Sequence, residues 1–173
     1  MSLMIKIRVE QPEDRDAIHH VNVAAFGREN EADLVDQLRN VASTVSLVAV
    51  DLNQVVGHIL FSPVTIEAEG QCEGLFLGLA PLAVMPEEQG KGIGSLLVRQ
   101  GLAACHGMGA AVVVVLGAPE YYRRFGFESA KKYRLGCEYD VPDEAFMVLE
   151  LVQDALKNCD GIVRYHPEFS RVE

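Results

Sequence analysis

LGLAPLAVMPEEQGKGIGSLLVRQGLAAC, residues 77–105, decides how the rest of the chain is read. It opens as an apolar run to Val84 broken by Gly78 and Pro81, and a proline that cannot donate to a sheet ladder predicts a bulge or an edge there. Pro86 ends the strand, and Gln89-Gly90-Lys91-Gly92-Ile93-Gly94 turns the chain into a helix. Ile93, Leu96 and Leu97 recur at core-facing helical spacing, and the small Gly101 and Ala104 continue that face. A strand, a glycine loop and a helix start together make an anion site. Bare N–H groups point outward there, and the helix dipole adds a fractional positive charge. Glycines let the backbone approach a phosphate that a Cβ would hold off. The expected ligand is therefore phosphorylated.

Spacing narrows the choice. A dinucleotide fingerprint counted from Gly90 places Ser95 where its third glycine belongs, and a nucleotide P-loop places Met85 and Gly92 where glycine and a hydroxyl residue belong. What remains is Gln89-x-x-Gly92-x-Gly94 after a strand ending in Leu82-Ala83-Val84. That pattern resembles the acyl-CoA loop of the GCN5-related N-acetyltransferases, the GNAT superfamily.

The chain has 173 residues, 49% of them apolar, and a mean hydropathy of +0.12, which predicts one domain with a full core. No apolar run reaches bilayer length, and Met1-Ser2-Leu3-Met4 does not read as a secretory leader. Cys72, Cys105, Cys137 and Cys159 are widely spaced, so they predict four reduced thiols in a cytoplasmic protein and no metal site. A formal charge of −10 disfavours nucleic acid and anionic membrane as partners.

Residues 4–9 alternate as a half-buried strand, and Pro12, Glu13 and Asp14 open a helix to Ala25 with Ile18, Val21 and Ala25 inward. Residues 31–39 form a second helix. Residues 45–51 and 55–67 read as strands joined by a hairpin at Asp51-Leu52-Asn53-Gln54. Glu69-Gly70-Gln71 turns into the organising strand, and the glycine-loop helix is expected to end at a left-handed Gly107. Residues 110–116, AAVVVVL, predict a strand buried on both faces. A short helix, Tyr121-Tyr122-Arg123-Arg124, and Phe125-Gly126-Phe127 follow. Residues 131–144 show no period and read as a loop near the site. Residues 146–152 form a last strand, Asp154 to Lys157 start a terminal helix, and residues 162–169 are uninformative.

This order matches the GNAT fold that the resemblance implies: α/β, a mixed and mostly antiparallel sheet flanked by helices. It runs over residues 4–152 as one N-acetyltransferase domain, with 153–173 as an extension packed on it. The Tyr-Tyr-x-Arg-Phe-Gly-Phe segment further resembles bacterial predicted N-acetyltransferases of the YhbS type. The implied activity is transfer of an acetyl group from acetyl-CoA, a co-substrate, to a primary amine by direct attack in a ternary complex. A non-catalytic acyl-CoA-binding domain is the rival reading. The acceptor is a small-molecule or protein amine, and a homodimer is left open.

The resemblance assigns the pyrophosphate to Gln89, Gly90, Lys91, Gly92, Ile93, Gly94 and Ser95. It assigns the pantetheine arm and the carbonyl to the main chain of Leu82, Ala83 and Val84, and a further phosphate to Arg124. Tyr122, four residues before Gly126, is placed against the cofactor as the acid for the departing thiolate, since a phenol near pKa 10 is within reach of a thiol near 8.5. Tyr121 is expected to face elsewhere. The organising strand has no carboxylate, so the base is open among Glu73, which we take as catalytic, Glu67 and His58. With 25 acidic against 15 basic side chains, a cationic acceptor is favoured over an anionic one.

Overall fold

The computed structural model describes residues 4–70 and 72–172, without the side chains of Arg171 and Val172. The leader reading at Met1–Leu3 and Gln71 of the expected turn lie outside the described residues. In chain order the elements are β1 (Lys6–Val9), α1 (Arg15–Phe26), α2 (Asn30–Leu38), β2 (Val45–Asp51), β3 (Gln54–Ala68), β4 (Leu75–Val84) and α3 (Ile93–Gly107). They continue with β5 (Ala110–Leu116), α4 (Pro119–Tyr122), β6 (Glu128–Ser129), β7 (Leu135–Cys137), β8 (Phe146–Glu150) and β9 (Gly161–Arg164). Strand order is β1-β2-β3-β4-β5-β8-β6, with β9 joining the far end of β3 to β7. The β4–β5 and β7–β9 pairs are parallel, and every other pair among the described strands is antiparallel.

Period-two burial sorts the side chains into two layers. On one face Val112 and Val114 of β5 join Ile18 of α1 and Leu34 and Leu38 of α2. On the other, Val113 and Val115 join Leu77 of β4 and Ile93, Leu97 and Val98 of α3. Hence residues 110–116 could be apolar throughout. The β2–β3 hairpin turns on Leu52 and Asn53, both with positive φ, 49° and 68°, as its two-residue loop requires.

Helix α3 lies close on the sheet because Gly101 has no side chain. A Cβ there would fall 2.7 Å from Cζ of Phe61, a ring with no solvent exposure. Gly101→Ala is therefore expected to lower stability by about 1–2 kcal/mol, with overpacking outweighing the gain in helix propensity. A lower melting temperature than wild type is the check.

Several expectations are corrected. The left-handed residue after α3 is Gly109, φ 94°, since the helix continues through Gly107 and Met108 still lies in the right-handed region. Residues 131–144 include the short strand β7, which finds its partner in β9, far along the chain. Asp154 to Lys157 forms turns rather than a helix, and β8 is followed by one more strand, β9, which pairs with Thr65–Ala68 of β3. Tyr165 and Phe169 of the uninformative tail are buried in the core. Lastly, Cys72 and Cys159 form a disulfide, leaving Cys105 and Cys137 as thiols. Cys72 and Cys159 are 87 positions apart and meet only because β9 docks on β3.

A buried polar chain ties the helices to the sheet. Arg39 Nε donates to Glu10 at 2.6 Å, and Ser46 Oγ donates to the other Glu10 oxygen at 2.6 Å. Its single hydrogen thus used, Ser46 must accept from Nε2–H of His58 at 2.9 Å. Nδ1 of His58 is then the acceptor for Asn22 Nδ2 at 3.4 Å, while Asn22 also donates to the Ile18 carbonyl at 3.0 Å. His58 is therefore a neutral structural group. Burial first, and the charge of Arg39 second, depress its pKa from 6.5 to about 3.

Between those values the unfolded chain binds a proton that the native chain does not. Stability should thus fall as pH falls, by up to about 1.4 kcal/mol per pH unit from this residue. Urea melts of wild type and His58→Gln from pH 6 to pH 4 test this. The wild-type stability curve should be the steeper one, and parallel curves would reject the assignment.

Candidate functional site

β4 and β5 run parallel only as far as the Leu79–Val115 pair. Beyond it β4 stays with β3 through Leu82–Ile59, Ala83–His58 and Val84–Gly57, while β5 stays with β8 to Leu116–Phe146. The two strands splay at the Ala80-Pro81 peptide, which is cis, and a wedge opens between them. Two chambers occupy it, meeting at Phe26 and Leu82.

The first chamber, about 510 Å³, lies between the end of β4 and the start of α3. Gly90 and Gly92 both have positive φ, 80° and 87°, and no atom lies within 4 Å of where a Cβ would stand on either. Gly92 caps α3 in the left-handed conformation, its carbonyl accepting from Leu96 N–H at 3.1 Å, with no side-chain cap and no acid in the first turn. The first N–H groups of a helix lack intrahelical partners. Here they face a cavity that no carboxylate of that turn competes for. Gln89 Nε2 donates to the Val84 carbonyl at 3.0 Å and so ties the loop to the strand end.

Of the residues assigned from sequence, Leu82, Val84, Gln89, Gly90, Gly92, Ile93, Gly94, Ser95 and Arg124 line this chamber. Arg124 is held by Nη2 on Ser95 Oγ at 3.0 Å, by Nε on the Tyr121 carbonyl at 3.2 Å, and over the Tyr121 ring at 4.5 Å. Lys91 does not line it; its ammonium pairs with Glu88 at 3.0 Å, and it is Glu88 that borders the cavity. The Ala83 side chain is buried and does not line the chamber.

Tyr121, expected to face elsewhere, is the tyrosine of α4 that borders the first chamber, and Tyr122 borders the second. Tyr121 lines the first chamber, its hydroxyl so near Gly94 that a Cβ on that glycine would come within 2.9 Å. Tyr122 lines the second, with its ring packed on Gly117 and edge-on to Tyr121 and Phe127. Burial, helped by neighbouring Tyr121, pushes the Tyr122 phenol up to about 12, so it stays protonated through the neutral range. Helical geometry says that adjacent tyrosines diverge; which one meets the cavity depends on how α4 packs.

The base assignments are corrected. Glu73 is exposed and precedes Leu75 at the opposite end of β4. At about 3.3 Å per extended residue it stands roughly 30 Å from Val84, in neither chamber. Glu67, beyond the β4-paired part of β3, accepts from Arg164 at 2.7 Å. His58 is the buried neutral group described above. Sequence reasoning missed Glu31, a buried carboxylate in the second chamber, as well as Phe26, Tyr139 and Phe169 around it. The acidic first turn of α2 was its only signal.

A sequence model of the acetyltransferase (GNAT) domain matches residues 6–130. The chain belongs to the GNAT acetyltransferases. It is 41% identical over 167 residues to the uncharacterized N-acetyltransferase YhbS of Escherichia coli strain K12, covering 95% of this chain and 98% of that one. The crystal structure of Escherichia coli YhbS in complex with CoA superposes with a TM-score of 0.91 at 39% identity, over 100% of this chain and 96% of that one. A GNAT family acetyltransferase from Brucella melitensis, in complex with acetyl-CoA, gives 0.78 at 38% identity, over 97% and 99%. The mixed sheet flanked by helices is the GNAT fold. No helix among the described residues of this GNAT protein is long and apolar enough to cross a membrane.

Proposed function

We propose that this protein transfers the acetyl group of acetyl-CoA to a primary amine by direct attack in a ternary complex. The observation that carries the reading is the uncapped start of α3 behind Gly90 and Gly92, opening onto the wedge between β4 and β5. The relatives with CoA and acetyl-CoA bound support it. Residues 4–152 form the catalytic unit, and the described residues from 153 to 170 an extension that packs against it through Leu156, Val163, Tyr165 and Phe169.

In this reading the N–H groups of residues 89–95 hold the pyrophosphate, each bond strengthened by the helix dipole. Arg124 adds a fixed positive charge, and Tyr121 lies along the bound cofactor. The unpaired edge of β4 past Leu79 takes the pantetheine arm as an added strand, and its N–H groups polarise the thioester carbonyl. The amine nitrogen forms its bond to the carbonyl carbon, the carbon–sulfur bond breaks, and the thiolate takes a proton from Tyr122, which regains one from the newly bonded nitrogen. Burial keeps that phenol in its donor form.

Thiol release from acetyl-CoA over a panel of primary amines tests the reaction. Turnover with at least one amine, absent without it, is the expected result. A protein that binds acetyl-CoA but releases thiol with none would be the regulatory acyl-CoA binder instead.

A further inference from the structure

The second chamber, about 320 Å³, has walls of Phe26, Leu79, Leu82, Leu116, Tyr139 and Phe169. Among all its lining residues one carries a charge, Glu31. Its side chain is 9% exposed. Arg28 holds it from the solvent side, Nε donating to Oε1 at 2.9 Å and Nη2 to Oε2 at 2.5 Å. This two-point grip fixes the orientation of the carboxylate. It also leaves acceptor capacity, since each carboxylate oxygen can take more than one hydrogen bond. An apolar cavity with one oriented anion, sharing Phe26 and Leu82 with the cofactor chamber, is a receptor for a cation with a greasy body.

We propose that the acceptor is a small primary amine with an apolar or aromatic body, whose ammonium binds Glu31. The proposal rests on the acetyl-transfer reading and names its substrate class. Glu31 then also takes the first proton. R–NH₃⁺ and Glu31–COO⁻ become R–NH₂ and Glu31–COOH, the freed lone pair forms the carbon–nitrogen bond, and Glu31 later releases its proton to water. The same walls reject other amines. A second ammonium, as in a polyamine, would be buried without a partner, and the hydroxyls of an amino sugar would lose their water. An amino acid would set its carboxylate beside that of Glu31.

The test compares 2-phenylethylamine, spermidine, glucosamine and a lysine tetrapeptide as acceptors, with acetyl-CoA-induced thermal stabilisation measured on every protein. In wild type, kcat/KM for 2-phenylethylamine should exceed the other three by roughly tenfold or more. Glu31→Gln should keep the acetyl-CoA stabilisation and lose roughly 10²-fold in kcat/KM at neutral pH. The loss should shrink as pH rises and the amine arrives already neutral; a merely structural glutamate would show no such recovery. Leu116→Lys, on a partly exposed position of the same wall, should raise KM for 2-phenylethylamine and keep the acetyl-CoA stabilisation.

Preference for spermidine, glucosamine or the peptide would overturn this substrate class and leave acetyl transfer standing. So would a Glu31→Gln enzyme as active as wild type, or one with a pH-independent deficit. Acetyl-CoA stabilisation with thiol release from no amine would overturn the acetyl-transfer reading, and this one with it.

Discussion

Replacing Gly92 with valine is expected to abolish the stabilisation of this protein by acetyl-CoA. A ligand that binds only the native state adds RT ln(1 + [L]/Kd), about 2.7 kcal/mol at a hundredfold excess over Kd. For a chain of this size that is a rise of roughly 5–10 °C in melting temperature. Gly92 stands at φ 87° with open space where a Cβ would be. A valine fills that space at the mouth of the α3 N-terminus and is strained in that conformation, so the variant should also melt lower without ligand.

Gly109→Val separates the two effects. Gly109 has φ 94° and equally open surroundings, but it follows the other end of the same helix, roughly 22 Å away. It should carry the same strain and keep the full acetyl-CoA shift. A Gly92→Val protein that keeps its shift would remove the loop from the cofactor site.

The second large effect is expected at Tyr122. Tyr122→Phe should lower kcat by roughly 10²–10⁴, about 2.7–5.5 kcal/mol in the barrier, with little change in acetyl-CoA affinity. The phenylalanine ring can fill the same space against Gly117 and Phe127. Because burial holds this phenol at about 12, its deprotonation should not limit kcat between pH 7 and pH 10. Tyr121→Phe is the complement. That hydroxyl lies in the first chamber beside Gly94, so its loss should weaken acetyl-CoA binding a few-fold, roughly 1 kcal/mol, and spare kcat. Stopped-flow or steady-state kinetics with acetyl-CoA varied would show the split. A Tyr122→Phe enzyme with normal turnover would leave the tyrosine as packing.

How much of this was legible in the chain follows from the range of the forces involved. The apolar run in residues 45–51 marks β2 within its own span, with successive side chains going to opposite faces, Leu47 and Ala49 to one layer of the core and Val48 to the other. Residues 110–116 announce a strand covered on both faces. The glycines of the loop are local too: Gly90 and Gly92 are demanded by their own φ angles, and the helix they open sets its own dipole. Strand, loop and helix were thus written together between residues 77 and 105, and with them the fold and the first chamber.

What the tertiary structure alone decided lies in contacts between residues far apart in sequence. Cys72 and Cys159 look like separate thiols until β9 docks on β3. His58 reads as a possible base, yet three elements close around it and leave its two ring nitrogens engaged with Ser46 and Asn22. Glu73 and Glu31 are equally plain acids on paper. The direction of β4 carries Glu73 to the far end of the sheet, whereas the packing of α2 sinks Glu31 into the wedge. A side chain's identity is local, but the medium around it, and so its chemistry, is set by whatever the rest of the chain folds against it.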